Sequence, residues 1–571
     1  MSTLCAPLLA DGGTDVVAIA EEVCFGQVPS PVTLREVPRR SLGIDPTREI
    51  INSDIISSNR GQPFVRHGPE LTGGDLVTEV APGVHAEEMA ATLGGWWVTP
   101  DVLNFTALTG SGGGGEAQIS TLNLGYPNGN GWRIDISMTA GEETSVVVPL
   151  GIRVGDRVKI EGTGIVELDD VVGTILTIGT GIVVIFPDAD FSADVNSTDL
   201  TAGTLTMVGA RASVGNVRRS FVVERWISSA ARFMSYHGQK FNSAAFNIAP
   251  GEIVTGTYNL VGQSASGVNN TSVNTVGLQE FTETNFGSLT YSNPTEGPTI
   301  VASGGDTDFI TEGFEVGDVI LIERKEDMVS ATSQNRNPRT ITEVVDSATL
   351  RVAEAVNNGT FPNYTLSRAV DPGYDQAPTV NPLVGAQGNL AVGFNNVATV
   401  TAATINIDNS IGGPSVIGSN ERTALFYGRR MSVTGTLTIL FDYKGAAELL
   451  INSFKDEEQN LRLTIRVEDH EAPENFVQFF MREIVITSHS ISDATDEGKP
   501  VEIGFTARVP EAGSLPTTIA SPIIIQDGTM SGPLPGSGSG SMAMAMGGAM
   551  AFVAPDEDIL DDAEDMGSSF A

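Results

Sequence analysis

Apolar and polar residues alternate with a period of two in many short segments, which predicts β-strands with one covered face. In Leu461–Glu468 the residues Leu461, Leu463, Ile465 and Val467 share one side and polar residues take the other. Phe221–Trp226, Gly256–Val261, Ile484–Thr487 and Val501–Val509 follow the same rule. Such one-sided strands belong in antiparallel sheets of a sandwich or barrel. Helical periodicity is rare. It predicts one helix over His85–Leu93, after Pro82 and Gly83 and stopped by Gly94 and Gly95. A second is predicted over Tyr443–Phe454, where Ala446, Leu449, Leu450 and Phe454 line one face. Each helix follows a strand, Gly74–Val80 and Val433–Phe441. The phrase Val-Thr-Gly-Thr also occurs twice, at Val254–Thr257 and Val433–Thr436. Together these predict an internally duplicated β core.

A second repeat lies between the core segments. Gly151–Ile160 matches Gly313–Ile322 around a Val-Gly-Asp step. Glycine there supplies a positive φ and aspartate caps the turn. Each copy leads into further strands, Gly173–Ile178 and Val183–Phe186 in one, Arg339–Val344 and Thr349–Val352 in the other. The reading is one small β-module used twice. From Ala512 the chain turns rich in Pro, Gly and Ser, then in Met between Met542 and Met550, and becomes acidic from Asp556 to Asp565. That predicts a flexible low-complexity tail whose methionines could dock in a neighbour's groove.

Composition narrows the function. The 571 residues are 40% hydrophobic, ample for sizeable cores. Acidic residues number 70 against 32 basic ones, for a net charge of −38. This balance disfavours a grip on nucleic-acid phosphates or anionic membranes, which needs basic patches. Cys5 and Cys24 make neither a disulfide framework nor a zinc site and are expected as reduced, buried thiols of a cytosolic product. Met1–Gly26 lacks the basic and apolar regions of a secretion signal, and no run approaches a membrane span.

Motifs for chemistry are scarce, and no catalytic, cofactor-binding or metal residue is assigned. His67, His85, His237, His470 and His489 share no metal-ligand spacing and are expected as surface or strand histidines. Gly110–Gly115 lacks the Lys-Ser/Thr of a phosphate loop and is expected as a loop tip. Asp188, Asp190 and Asp194 resemble a calcium loop, but Ala193 replaces the turn glycine and Ser192 a ligand, so solvated acidic turns are expected. Paired carboxylates of a glycan hydrolase are not diagnostic among 70 acids, and 4 Trp and 8 Tyr give few aromatic platforms.

Ordered blocks in about half the chain carry a resemblance. Ile51–Arg60 runs into Val65–Gly68, Thr72–Val80 and the helix ending at Gly95. Arg219–Arg225 is followed by His237–Ser243 and Ile253–Gly262. Ile405–Asn409 and Ile417–Ser419 precede the strand–helix unit Val433–Phe454. In this order the blocks resemble the major tail tube proteins of long-tailed, siphovirus-like bacteriophages. The resemblance implies a mainly β subunit: an antiparallel β-sandwich or barrel core with short flanking helices. It implies no enzyme and no cofactor, but self-assembly into stacked rings, hexameric in the family, that conduct DNA during ejection. Implied partners are further copies of the chain, a tape measure protein in the lumen, terminator and distal tail or baseplate proteins, and DNA in transit without specific binding, with no membrane. The place implied is the virion tail, built in the host cytoplasm. The expected division is a discontinuous core at 1–105, 214–262 and 383–511, modules at 106–213 and 263–382, and a tail at 512–571. An acidic lumen would repel passing DNA. The alternatives are the tube of a contractile injection or secretion machine, an adhesin-like virion surface protein, and a tail-associated glycan hydrolase.

Overall fold

The computed structural model describes residues 15–530 apart from short internal stretches, the longest at 53–64 and 325–338. The strand content is high and antiparallel, as the alternation predicts. The core strands are β1 (Val16–Glu21), β2 (Asp45–Asn52), β3 (Val65–Glu79), β4 (Phe221–Ile227), β5 (Arg232–Ile248), β6 (Thr255–Gly262), β7 (Gly388–Val392), β8 (Val400–Asp408), β9 (Ser432–Leu440), β10 (Leu461–Glu468), β11 (Phe476–Ile491), β12 (Pro500–Ala507) and β13 (Ile524–Asp527). Helix α1 (Ala86–Leu93) follows β3, and α2 (Ala446–Ser453) follows β9. Glu87 and Glu88 in the first turn of α1 suit the helix dipole, and Gly94 in the left-handed region closes its end by donating its N–H to the carbonyls of Ala90 and Ala91. No helix among the described residues is long and apolar enough to cross a membrane.

The core is duplicated strand for strand. In the first repeat the pairing order is β1–β4–β5–β6–β3–β2. In the second it is β7–β10–β11–β12–β9–β8. Both repeats use one long strand, β5 or β11, that pairs first with one neighbour and then with another. The irregularities coincide too. The β5–β6 ladder slips between Phe241 and Ser243, and the β11–β12 ladder between Ile486 and Ser488. The β4–β5 slip at Phe221/Val223 matches the β10–β11 slip at Leu461/Leu463. A bulge bends its strand and raises local twist, so matching bulges give both repeats the same bend. The Val-Thr-Gly-Thr phrase does not mark this duplication. Its copies start β6 and lie within β9, strands with different places in the repeat; the phrase reflects strand composition only.

One continuous sheet crosses both repeats. Ser243–Ile248 of β5 pair with Ala403–Asp408 of β8 while also pairing with β6. The result is an eight-strand run, β2–β3–β6–β5–β8–β9–β12–β11. Leu76, Tyr258, Phe246, Ile405, Leu437 and Ile503 bury their side chains on its inner face. Burial of such a side chain contributes roughly 1.5–3 kcal/mol. Gly435 in β9 has no room for a side chain: a Cβ would collide with the Thr404 carbonyl and the Phe505 ring.

The strands between Leu103 and Met207 form a separate eight-strand sheet, and those between Gln279 and Ala369 form another. Numbered along the chain, both sheets have the order 7-2-3-6-5-4-8-1. Their turns agree as well. The Asp156 carboxylate accepts the Arg153 N–H at 2.7 Å, and the Asp318 carboxylate that of Glu315 at 2.9 Å. The Asp156 and Asp318 carbonyls then accept from Ile175 and Ile341.

The two sheets differ in how they attach. The core of the first includes Phe480 of β11 and Ile524 of β13, so it is fused to the duplicated core. Gly155, with φ +99, presses against the Phe480 ring where any side chain would clash. Among the described residues, the core of the second runs from Leu289 to Leu366. The chain segments leading to and from this sheet are clamped at Glu224. Its buried carboxyl accepts from the Val273 N–H at 2.7 Å, the Tyr374 hydroxyl at 2.7 Å and the Ser272 hydroxyl, while burial pushes its pKa up.

Candidate functional site: a polar sheet face with two open edges

Alternation puts every second residue of the eight-strand run on its outer face. That face carries Asp75, Val77 and Glu79 from β3, Thr257 and Asn259 from β6, and Ser243, Ala245 and Asn247 from β5. The second repeat adds Asn406 and Asp408, Thr434, Thr436 and Thr438, Glu502 and Thr506, and Ser488 and Ser490. No Lys or Arg stands among these facing positions. Hydroxyls and amides bond across the strands: Thr404 to Thr436 at 2.8 Å, and the Asn259 amide to the Asp75 carboxylate at 2.7 Å. Asp75, Asp408 and Glu502 are exposed. Arg40, just before the paired segment, reaches Glu79 at 4.0 Å. The face is thus broad, hydroxylated and weakly acidic. Apart from Arg40 at its rim, these positions offer no phosphate-gripping cation and no apolar patch for bases to stack on.

The run has two ends. Among the described residues, β2 pairs only with β3, and the outer side of Val485–Ile491 in β11 has no strand partner. Pro46 lies in β2, and a missing N–H is tolerated only on such an edge. Ile50, Ile51, Val485 and Ile491 are 40–61% exposed along the two edges.

The arginines of this region are structural. Arg157 of the first inserted sheet contacts Asp188 at 2.9 Å and Glu468 at 3.1 Å. Arg466 contacts the same two acids at 2.7 and 3.0 Å. All four groups are largely buried, and Arg157 also lies over the Phe476 ring at 4.4 Å. This closed quartet joins the inserted sheet to β10. Asp188 is therefore neither a calcium ligand nor a solvated turn acid, because two guanidinium groups hold it inward; Asp194 lies outside the described residues. Beside α1, Arg219 is buried between Glu21 at 2.9 Å and Glu87 at 2.6 Å, and Arg35 meets Glu88 at 2.7 Å.

Two further expectations are corrected. Cys24 is exposed, because it sits in the turn closed by the Gln27 N–H to its carbonyl after β1 ends. His85 is neither a surface nor a strand histidine. It precedes α1, is 1% exposed, and burial lowers its pKa. No group of His, Cys, Asp and Glu among the described residues is placed to hold a metal ion. Most of Gly110–Gly115 and the Met-rich acidic tail lie outside the described residues. An open groove of about 280 Å³ beside His85 is lined by Glu36, Glu79 and several prolines. Sequence reasoning missed the polar face because no single residue marks it; the signal was the run of Thr, Ser and Asn at alternate positions of six segments.

Comparison with known families gives one match. A family model described as phage tail tube protein matches residues 13–317 and 332–538, most of the chain. No curated protein matches closely enough to add a relative to that comparison.

Proposed function

We propose that this chain, which belongs to the phage tail tube protein family, is the major tail tube subunit of a siphovirus-like virion, its rings stacking into the conduit through which DNA is ejected. The family is structural and not enzymatic. The observation that carries the finer reading is the eight-strand sheet, which has no Lys or Arg at the polar facing positions named above and, among the described residues, no strand partner at either end. Turned inward, that face gives a bore to which a duplex does not adhere. Its carboxylates act only within about one Debye length, ~8 Å at physiological salt. The ring contains six copies of the core fold. A head-to-tail contact closes it, and stacking extends it. In this reading residues 106–213 and 263–382 are inserted modules on the outside of the tube. A tape measure protein occupies the bore during assembly in the host cytoplasm, and terminator and distal tail proteins cap the ends. Negative-stain microscopy of the purified chain tests this: rings or tubes with a central hole are expected, and a monodisperse solid particle at high concentration overturns it.

A further inference from the structure

The chain contains one complete junction between two core repeats, and it leaves half of a second junction open at each end. Inside the chain, Ser243–Ile248 of β5 pair antiparallel with Ala403–Asp408 of β8. Matching bulges equate Phe241 with Ile486 and Ser243 with Ser488, so Ala244 corresponds to His489 and Phe246 to Ile491. On the other side, Leu42 pairs with Leu76 as Ala403 pairs with Leu437. The counterparts of Ile405 and Ile407 are then Ile44 and Pro46. Ala244 and Phe246, in the segment paired with β8, are each 1% exposed, Phe246 lying against the Tyr258 and Phe479 rings. Their counterparts are uncovered: His489 is exposed and Ile491 is 53% exposed.

We infer that a second copy of this chain supplies the missing partner: Ser488–Ile491 of one chain pair antiparallel with Ile44–Thr47 of the next, so that three chains close a ring of six core repeats. The inference rests on the tube reading above. The register follows from the internal junction. Ile491 meets Ile44, as Phe246 meets Ile405. His489 meets Pro46, and Ser490 meets Asp45. The Asn409 N–H bonded to the Asn242 carbonyl shows which residues of the internal ladder exchange hydrogen bonds. By that phase His489–Pro46 is a bonded pair and Ser490–Asp45 a non-bonded one. Pro46 has no N–H, so the junction between chains lacks one bond that Ile407 supplies within the chain. An edge blunted this way resists untimely pairing.

Bore size selects the number of chains. Each chain contributes eight strands. With strands about 4.8 Å apart and tilted about 40°, two, three and six chains give backbone radii of about 16, 24 and 48 Å. Subtracting about 6 Å for side chains leaves bores about 20, 36 and 84 Å wide. A duplex about 20 Å across fills the first and is lost in the last. Three chains leave it a hydrated passage.

Cysteine cross-linking of the full-length chain tests this. Cys5 and Cys24 are replaced by Ser, and Asp45→Cys is combined with Ser490→Cys, both exposed positions. Non-bonded antiparallel pairs bring Cα atoms about 4.5 Å apart, within disulfide range. Oxidised assemblies should give covalent ladders on a denaturing gel that end at a closed three-chain species. Asp45→Cys with Ser488→Cys, out of register, should not cross-link. Pro46→Ile should speed assembly several-fold by restoring the missing donor, and an unchanged rate counts against the register. Rings or tubes without the 45–490 cross-link overturn the pairing while the tube reading stands. A ladder ending at six overturns the three-chain ring. Absence of any assembly overturns both readings.

Discussion

The Gln526→Leu substitution probes how firmly the first inserted sheet is fixed to the duplicated core. Gln526 in β13 is 1% exposed. Its side-chain oxygen accepts the Arg157 N–H at 2.7 Å, and its amide donates to the carbonyls of Arg157 at 3.0 Å and Val208 at 2.7 Å. Leucine fills similar space but makes none of these bonds. The Arg157 N–H is then orphaned in a dry interface, costing about 1–3 kcal/mol. The carbonyl losses are smaller, because Arg157 still accepts from the Val208 N–H. They add about 1 kcal/mol, partly offset by the apolar side chain. A net loss of about 2–4 kcal/mol speeds hydrogen exchange roughly 30- to several-hundred-fold. That change is expected in Arg157–Glu161 and Thr204–Met207, the strands bonded through this glutamine. The amides of β8 and β9 should exchange at the wild-type rate. Unchanged exchange in the inserted sheet, or an equal rise across the duplicated core, refutes the anchoring argument.

Other outcomes follow from the same geometry. Asp408→Lys with Glu502→Lys places cations on the polar face; tails should assemble while DNA release slows, most at low salt, and wild-type ejection kinetics would show that this face does not meet the duplex. Gly435→Val forces a side chain into the Thr404 carbonyl and the Phe505 ring, so soluble, cooperatively melting protein should not be recovered. Burial acts to raise the Glu143 pKa, but backbone N–H groups of Gly181 and Gly141 outweigh it and hold the group below its ordinary value. A depressed folded-state value contributes stability that is present above the ordinary glutamate range and lost as pH falls through the folded value. Melting curves recorded from neutral pH downward should therefore show a smaller acid loss in Glu143→Gln than in wild type. Replacing residues 276–370 by a short glycine linker should leave ring formation intact by microscopy, because the Asn274 amide already lies 2.5 Å from the Pro372 carbonyl.

Much of the core was legible, because a strand with one dry face must alternate. Leu461–Glu468 is a strand with the predicted bounds, and α1 ends at the glycine pair. The Val-Gly-Asp repeat identified the equivalent turns of the two inserted sheets, since that turn needs particular residues. The core duplication was legible only in outline. Its equivalent bulges hold Phe241, Asn242 and Ser243 in one repeat and Ile486, Thr487 and Ser488 in the other. A bulge is a property of pairing, and different side chains satisfy it, so identity at these positions is low. The polar face was illegible for a related reason: its threonines and serines are ordinary strand residues until the pairing order gathers them. The Arg157 quartet joins residues more than 300 positions apart, which no local pattern reports.

Duplication within one chain permits something that identical subunits do not. The first inserted sheet lies between α1 and β4, whereas the corresponding stretch of the second repeat, between α2 and β10, is only 454–460. The other inserted sheet lies between the repeats. Two separate chains of one sequence would each carry the insertion, and in the proposed ring neighbouring copies would compete for the same space. A fused pair carries it once, so every second position stays clear. The fused sheet packs deeply, with Phe480 and Ile524 completing its core. Removing residues 103–207 would expose both side chains and strip Arg466, Gln478 and Gln526 of their partners across the interface. That deletion should abolish soluble protein, in contrast to excision of the second sheet, whose core is its own. Equal tolerance of the two deletions would show that both sheets are mere appendages and that the duplication has no such role.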